Sequence, residues 1–347
     1  MLALQAVTDV ELGERAAIDP AHARKLIADV HRGRAPVSRP GLPAAAIEAA
    51  LAIGAIPTLE IIAREASAID PFCKYALRAA DGEILETVRI PLERAGRITV
   101  CVSSQVGCAL ACDFCATGRL GLRRNLAAWE IVEQVRLVAR ELPDDLTLHG
   151  VVFQGMGEAL ANFDAVATAI EVLTAPYAMA LDARAITVST VGLPEGIRRL
   201  ARAAPKVRLA LSIGSARPEV RASIMPITRA HPLDTILEAA ADHVAATGLA
   251  PMWAVTLLEG VNDSDADADA LAELAREFGA RTGKAPRLSL IDYNPIGDPD
   301  GEPYTRSPRM NAFRDRLAAA GVTSHRRYSG GGDIAAACGQ LAATRPA

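Results

Sequence analysis

The sequence predicts an α/β protein: a partial (β/α)6 barrel or an open doubly wound parallel sheet, with a small helical appendage at the N-terminus. Three observations carry that expectation. Six short apolar runs alternate with six amphipathic stretches of helical length between residues 98 and 321. Apolar residues make up 50% of the chain while aromatics make up only 4%, a balance that favours helices over an all-β sandwich. Residues 1–68 lack the alternation and hold two helical stretches around a proline-rich joint.

In chain order, residues 23–33 and 44–54 read as helices separated by APVSRPGLP, so 1–68 is expected to be a helical accessory segment and 69–347 the core. Within the core the runs 98–103, 146–153, 185–190, 207–213, 252–258 and 287–293 read as strands. The stretches 127–143, 162–173, 193–203, 233–248, 264–280 and 308–321 read as the helices that follow them. In the first of these Ile131, Val132, Val135 and Val138 share one face. Strand-then-helix repeats imply a parallel sheet with right-handed crossovers. Six units are too few for an eightfold barrel, and in either remaining form the active site belongs at the C-terminal ends of the strands. The chemically suggestive residues sit there. A cysteine-rich loop follows the first strand, a glycine-rich turn the second, Ser189 and Thr190 end the third, and Asn294 follows the sixth.

Composition excludes several classes. Half-apolar content with 22% charge is globular rather than disordered or collagen-like. The most apolar early stretch, 44–62, is broken by Glu48, Pro57 and Glu60, and the N-terminus has no secretory pattern, so a cytoplasmic protein without membrane spans is expected. A net charge of −4 argues against nucleic-acid binding by bulk positive potential, though local patches remain able to serve. Four of the six cysteines crowd into residues 101–115, which reads as metal-binding or catalytic rather than as a disulfide framework.

Cys108, Cys112 and Cys115 form a C-x3-C-x2-C run. Three thiolates on a short loop can hold three irons of a [4Fe–4S] cluster and leave the fourth open to an exogenous ligand, whereas electron-transfer clusters usually take four cysteines. Structural zinc is the competing reading; it wants four ligands, commonly two spaced pairs, and would have to conscript His149 or Cys101. Gln154-Gly155-Met156-Gly157-Glu158 offers close backbone approach through its glycines and a carboxylate that can accept from an ammonium. Taken alone it is equally well a simple turn, and neither phosphate-binding glycine pattern is present.

The cysteine run with Phe114 before its last member resembles the radical S-adenosylmethionine (SAM) superfamily, and GMGE is similar to the superfamily motif that holds the SAM amino group. A narrower resemblance rests on CVSSQVGCALACDFCATGRLGLRRNL, ETVRIP at 86–91, ITVST, LLEGVND at 257–263, the NP of Tyr293-Asn294-Pro295 and AACGQL around Cys338. These strings resemble the RlmN/Cfr family of 23S ribosomal RNA adenine methyltransferases over residues 70 to 343. The resemblance implies a partial (β/α)6 radical SAM barrel with a [4Fe–4S] cluster and SAM as cofactors. It implies methylation of an sp² adenine carbon, which is not nucleophilic, through a methyl group first placed on Cys338. A radical formed on that methyl adds to the ring, Cys101 resolves the adduct, and Glu86 matches the proton acceptor. Gly157, Glu158, Ser189, Ser212 and Asn294 match SAM-contacting positions. It further implies RNA as partner (23S ribosomal RNA, with transfer RNA as a second RNA substrate), a flavodoxin or ferredoxin as electron donor, and a disulfide bond; a monomer is the default. Without the resemblance, Cys101, Cys338, Ser189 and Ser212 read as ordinary core or turn residues and Glu86 as a solvated strand carboxylate; Cys73 reads as structural.

The chain departs from the family pattern on the substrate side. Ala159 stands where proline is usual, Ile213-Gly214 where a Leu-His or Val-His pair is typical, and MWAVTLL lacks a Glu-Tyr. RYSGGGDI at 327–334 stands where the family reads like RKTRGDDI. Arg119, Arg123, Arg124, Arg326 and Arg327 are candidate phosphate contacts at the barrel mouth or a solvated face. Two further readings therefore stand beside RNA methylation: the same two-cysteine chemistry on an aromatic heterocycle or peptide, and a non-catalytic RNA-binding relative.

Overall fold

A computed structural model describes residues 1–298 and 300–342; the last positions of the expected 69–347 core lie outside the described residues. Ten strands form one mixed sheet. Three antiparallel strands lead: β1 (Glu60–Ala66), β2 (Cys73–Arg78) and β3 (Ile84–Pro91). β3 pairs antiparallel with β4 (Arg97–Val102), which opens a parallel series: β5 (Thr147–Phe153), β6 (Ile186–Thr190), β7 (Arg208–Ser212), β8 (Met252–Leu257), β9 (Arg287–Asp292) and β10 (Ser324–Arg327). Every parallel strand lies beside its predecessor, which is what short right-handed crossovers enforce.

The helices of the crossovers form where the sequence predicts them. α4 (Ala128–Arg140) buries Ile131, Val132, Val135 and Val138 against the sheet, and α5 (Phe163–Thr174), α6 (Pro194–Ala203), α7 (Leu233–Thr247), α8 (Asp265–Thr282) and α9 (Met310–Ala319) follow. Their ends are written locally. Pro194 starts α6, where its missing N–H costs nothing. The Ser264 hydroxyl accepts from Asp267 N at the start of α8, and Gly283 closes that helix in the left-handed region at φ 69°.

The six expected strand–helix units are present, with two additions. β10 extends the sheet as a seventh parallel strand; its sequence, SHRR, carries no apolar pattern because it is a half-exposed edge. The antiparallel strands β1–β3 extend the other edge, and β1 lies inside residues 1–68, so the main sheet crosses the division expected after residue 68. Cys101 of β4 and Arg327 at the end of β10 line one cavity. A flat sheet would hold them about 29 Å apart, six strand spacings of ~4.8 Å, so the sheet curls into a partial barrel.

The helical part of the N-terminal segment packs beside α4. Leu4, Leu12, Leu26, Ile27, Val30, Leu42 and Ile47 form a separate small core from α1 (Asp9–Ala16), α2 (Pro20–His31) and α3 (Ala44–Ile53). Polar contacts join it to the barrel: Arg136 of α4 pairs with Glu133 and donates to Val30 O at 2.6 Å, and Tyr177 donates to Asp9. Among the described residues no helix is long and apolar enough to cross a membrane.

Two buried histidines, His31 at this junction and His243 in α7, tie stability to pH. Burial, reinforced by the Arg136 and Arg140 guanidiniums, lowers the His31 pKa to about 3, and burial alone lowers His243 to about 4. Both imidazoles are neutral in the fold, whereas an unfolded histidine protonates near pH 6.5. As pH falls from 6.5 toward 4 the unfolded chain takes up protons that the folded chain refuses, and stability drops. His31→Gln is expected to flatten that acid limb; denaturant midpoints at pH 7 and 4.5 check it, and an unchanged difference between the two counts against His31 as a source.

Candidate active site

An open cavity sits at the C-terminal ends of the parallel strands. Cys101, Cys108, Cys112, Cys115, Gly157, Glu158, Ser189, Ser212 and Cys338 all line it. Glu86 and Asn294 do not. Glu86 is 1% exposed in β3, with Lys74 Nζ at 3.2 Å and Ala342 N donating at 2.9 Å, so it stands behind the chain's last described segment rather than in solvent. Asn294 donates to Ser329 Oγ and to Cys338 O, both at 3.1 Å; in this conformation it holds the Cys338 loop.

The cysteine loop leaves β4 through a short ladder between Gln105–Gly107 and Leu122–Asn125, which closes residues 108–121 into an arm. Cys115 N donates to Cys112 O, and Asp113 takes hydrogen bonds from Arg119 and Tyr304. Burial pushes the Cys108 thiol up to about 11 and raises Cys112 and Cys115 as well. Among the described residues no three His, Cys, Asp or Glu side chains converge closely enough to hold a single ion. Three thiols on one arm are one ligand fewer than structural zinc or an electron-transfer cluster takes, which is the donor set of a [4Fe–4S] cluster with one iron open. His149 stands near the start of β5, away from the cavity, with Nδ1 3.4 Å from Arg97. Cys108, Cys112 and Cys115 would hold three irons of a [4Fe–4S] cluster, leaving the fourth to SAM.

The glycine turn after β5 is tied to the segment after β4. Gly155 N donates to Val102 O, Ser104 N to Met156 O, and Met156 N to Ser103 Oγ at 3.0 Å. Gln105 Oε1 accepts from Glu158 N at 2.8 Å. Gln134 of α4 clamps Ser103 on both sides, accepting its N–H at 2.8 Å and donating to its carbonyl at 3.0 Å. The Glu158 carboxylate accepts from Leu160 N and Val191 N, which counter the upward push of burial on its pKa. Its position on the cavity wall is therefore set by backbone, not by a flexible rotamer.

Cys101, in β4, and Cys338, in the loop after β10, come from opposite ends of the parallel series yet share the cavity. Gln154 reaches both: its side-chain amide donates to Cys338 Sγ at 3.5 Å, and its backbone N–H faces Cys101. Burial pushes the Cys101 thiol up to about 12; Cys338 adds to the rise and Arg327 opposes it. The Cys338 loop is pinned by Ser329 Oγ, which accepts from Cys338 N at 2.9 Å, by Ala116 N donating to Gly339 O, and by Gln340 donating to Pro295 O. The disulfide expected from the resemblance is not formed: all six cysteines are free, and Cys73 is core.

Several positioning residues carry no assignment from the sequence. Gln134 is the one with a readable signal, a polar residue on the apolar stripe of α4. Fully buried Arg221 donates to Ile213 O, Val191 O and Thr228, joining the loops after β6 and β7. Of the arginines expected to meet phosphate, Arg119, Arg123, Arg124 and Arg326 are in ion pairs with acids. Arg327 has no ion pair among the described residues and lines the cavity.

A curled parallel sheet with a C-x3-C-x2-C run on the loop after its first parallel strand, and a Gly-Glu turn lining the same cavity, defines a radical SAM enzyme. The Radical SAM superfamily model matches residues 102–272. The structure superposes on a radical SAM methyltransferase from Sphaerobacter thermophilus with a TM-score of 0.89 and 36% identity, covering 99% of this chain and 100% of that one. The protein is a SAM-dependent radical methyltransferase. It is 56% identical to "Probable RNA methyltransferase sce3898" of Sorangium cellulosum, across 96% of this chain and 90% of that protein. It is 41% identical to "Dual-specificity RNA methyltransferase RlmN" of Syntrophobacter fumaroxidans, across 83% of this chain and 81% of that protein. The chain belongs to the RlmN family.

Two variants probe the geometry. A Cβ on Gly155 would stand 2.7 Å from Val102 O and 2.9 Å from Ser103 N, both backbone atoms, so Gly155→Ala must part the two segments. It is expected to destabilise by about 1–3 kcal/mol and to weaken SAM binding, read by thermal melting and by titration of the reconstituted protein. Cys112→Ala is expected to abolish the visible absorbance of the reconstituted cluster together with SAM cleavage; retention of both removes Cys112 from the ligand set.

Proposed function

We propose that the protein methylates an sp² carbon of adenine in RNA, with 23S ribosomal RNA as substrate, and that Cys338 carries the methyl group. The supporting observation is the meeting of Cys101 and Cys338 in the cavity of the three cluster cysteines, with Gln154 between them. When bound, the cluster and SAM supply one electron, a methyl group and the means to abstract a hydrogen. The chain's own residues do the rest. Cys338 accepts the methyl as a thioether and presents it toward the cavity. Loss of a hydrogen from that methyl leaves a carbon radical that adds to the ring, joining substrate to Cys338 through a methylene bridge. The adduct gives up one electron to the cluster and a ring proton; the Cys101 thiolate then attacks Cys338 Sγ, so that an S–S bond forms as the methylene–sulfur bond breaks, and the released carbon takes a proton to become the methyl group. Glu158, Ser189 and Ser212, on the ends of successive strands, orient SAM, with Gly157 allowing close approach. Glu86 is assigned the proton from the adduct, which requires its contact with Ala342 to open. A flavodoxin or ferredoxin fits as electron donor.

A second reading draws on charge. Four of the five arginines offered to RNA phosphates are paired with acids, and the chain is net acidic, which favours the same chemistry on an aromatic heterocycle or peptide.

Reconstituted protein, reductant, SAM with a deuterated methyl group and unmodified ribosomal RNA separate the readings. Labelled 2- or 8-methyladenosine in the digested RNA is expected and would identify the carbon; label on the Cys338 peptide with unlabelled RNA turns the choice to the second reading. Cys338→Ala should keep the cluster and lose all transfer, and full activity would sink the carrier assignment. Cys101→Ala should accumulate a protein–substrate adduct, visible as a mass shift, and clean turnover would count against its role.

A further inference from the structure

The rim of the cavity carries a feature that the chemistry leaves unused. Tyr328, two residues before the loop glycines, is 67% exposed although it lines the cavity that holds Cys338. An exposed aromatic ring is ordinary at a surface, but this one is held in place. Its hydroxyl donates to Asp70 Oδ2 at 2.8 Å, and Phe72 meets it edge-to-face with ring centroids 6.1 Å apart. Asp70 is fixed in turn: the same Oδ2 accepts from Gly331 N at 2.9 Å, and Oδ1 accepts from Phe72 N at 3.1 Å. Asp333 ties the same two loops again, accepting from Ser67 Oγ at 2.7 Å and Ala68 N at 2.8 Å. Gly330 completes the arrangement, because a Cβ there would stand 2.4 Å from the Phe72 ring and 2.5 Å from Asp70 Oδ2. The loop between β1 and β2 and the loop after β10 thus form one braced lip, with an aromatic ring open to solvent at its edge.

Next to the ring in sequence is Arg327, which lines the cavity without an ion pair among the described residues. A ring that has already lost its rotamer freedom, in a cavity that an arginine also lines, offers what single-stranded nucleic acid uses: a base stacks on the aromatic face while a cation meets the backbone. We propose that Tyr328 is a stacking platform for an RNA base adjoining the target adenine, with Arg327 contacting its phosphate. The inference rests on RNA being the substrate. It makes Tyr328 a substrate-binding residue that the step from SAM to Cys338 does not need.

The test uses the full reconstituted enzyme and a fluorescent fragment of unmodified 23S ribosomal RNA. Tyr328→Ala is expected to raise the Kd by about 5- to 150-fold, the range for loss of one base–aromatic stack, while deuteromethyl labelling of Cys338 without RNA stays as in the wild type. Tyr328→Trp, which lacks the hydroxyl that reaches Asp70 but keeps a ring, is expected to bind within about 3-fold of wild type. Arg327→Gln should weaken binding and reduce its dependence on salt by about one phosphate contact, whereas Tyr328→Ala should leave that dependence unchanged. Equal Kd for Tyr328→Ala and wild type overturns the platform, and so does Tyr328→Trp falling as far as the alanine variant, since the residue would then act only as a brace. A wild-type enzyme that does not bind the RNA at all overturns the RNA reading itself, an outcome distinct from either.

Discussion

The site depends on one buried tie between two neighbouring strand ends. Val102 to Gln105 leave β4, Gly155 to Glu158 leave β5, and the two segments are joined by backbone hydrogen bonds and by the side chains of Ser103 and Gln105. Gln134 closes the arrangement from α4. Each group is buried, and a buried polar group stripped of its partner costs about 1–3 kcal/mol, so the segments cannot drift apart independently. The cysteine arm begins where this tie ends, Glu158 hangs from it, and Cys101 stands one residue before it. The spacing among the cysteine arm, the Gly-Glu turn and Cys101 is therefore inherited from a single polar knot.

Cys338 is held differently. No strand or helix fixes Cys338; its loop is secured by single hydrogen bonds from distant parts of the chain, including Ser329, Asn294, Ala116 and the Gln340–Pro295 contact. The carrier role proposed for Cys338, which has the thiol meet a methyl donor, a substrate and a second thiol in turn, is better served by several weak attachments than by a rigid element. The contrast with Glu158, fixed by two backbone N–H groups, matches the different tasks assigned to the two residues.

The departures from the family pattern have local physical reasons. Gly330, where the family strings carry arginine, leaves the space that Phe72 and Asp70 fill, so the substitution and the braced lip are one change. Gly214 adopts φ 70°, with its carbonyl taken by Asn262 and a hypothetical Cβ 2.5 Å from Met225 Sδ; a β-carbon there meets both strain and a neighbour. Ala159 opens a short 3-10 turn capped by Glu158, and proline would also fit there because the cap bond goes to Leu160 N. These differences reshape the mouth and leave the sulfur-bearing floor intact.

By itself the sequence determined the six strand–helix units, the cysteine triplet and the Gly-Glu turn. Apolar periodicity and short motifs are local properties, and local properties survive in a linear string. It did not reveal β10 or the antiparallel edge, because SHRR has no apolar alternation and because Glu86, read as a solvated carboxylate, is buried against Lys74 by strands that pair across the chain. Nor did it show that most of the mouth arginines are neutralised, that Asn294 holds the Cys338 loop, or that Tyr328 is braced by Asp70 and Phe72 from more than 250 residues away. Only the curl of the sheet decided those, since ion pairs, braces and a shared cavity depend on which distant residues the closing strands bring within hydrogen-bond reach.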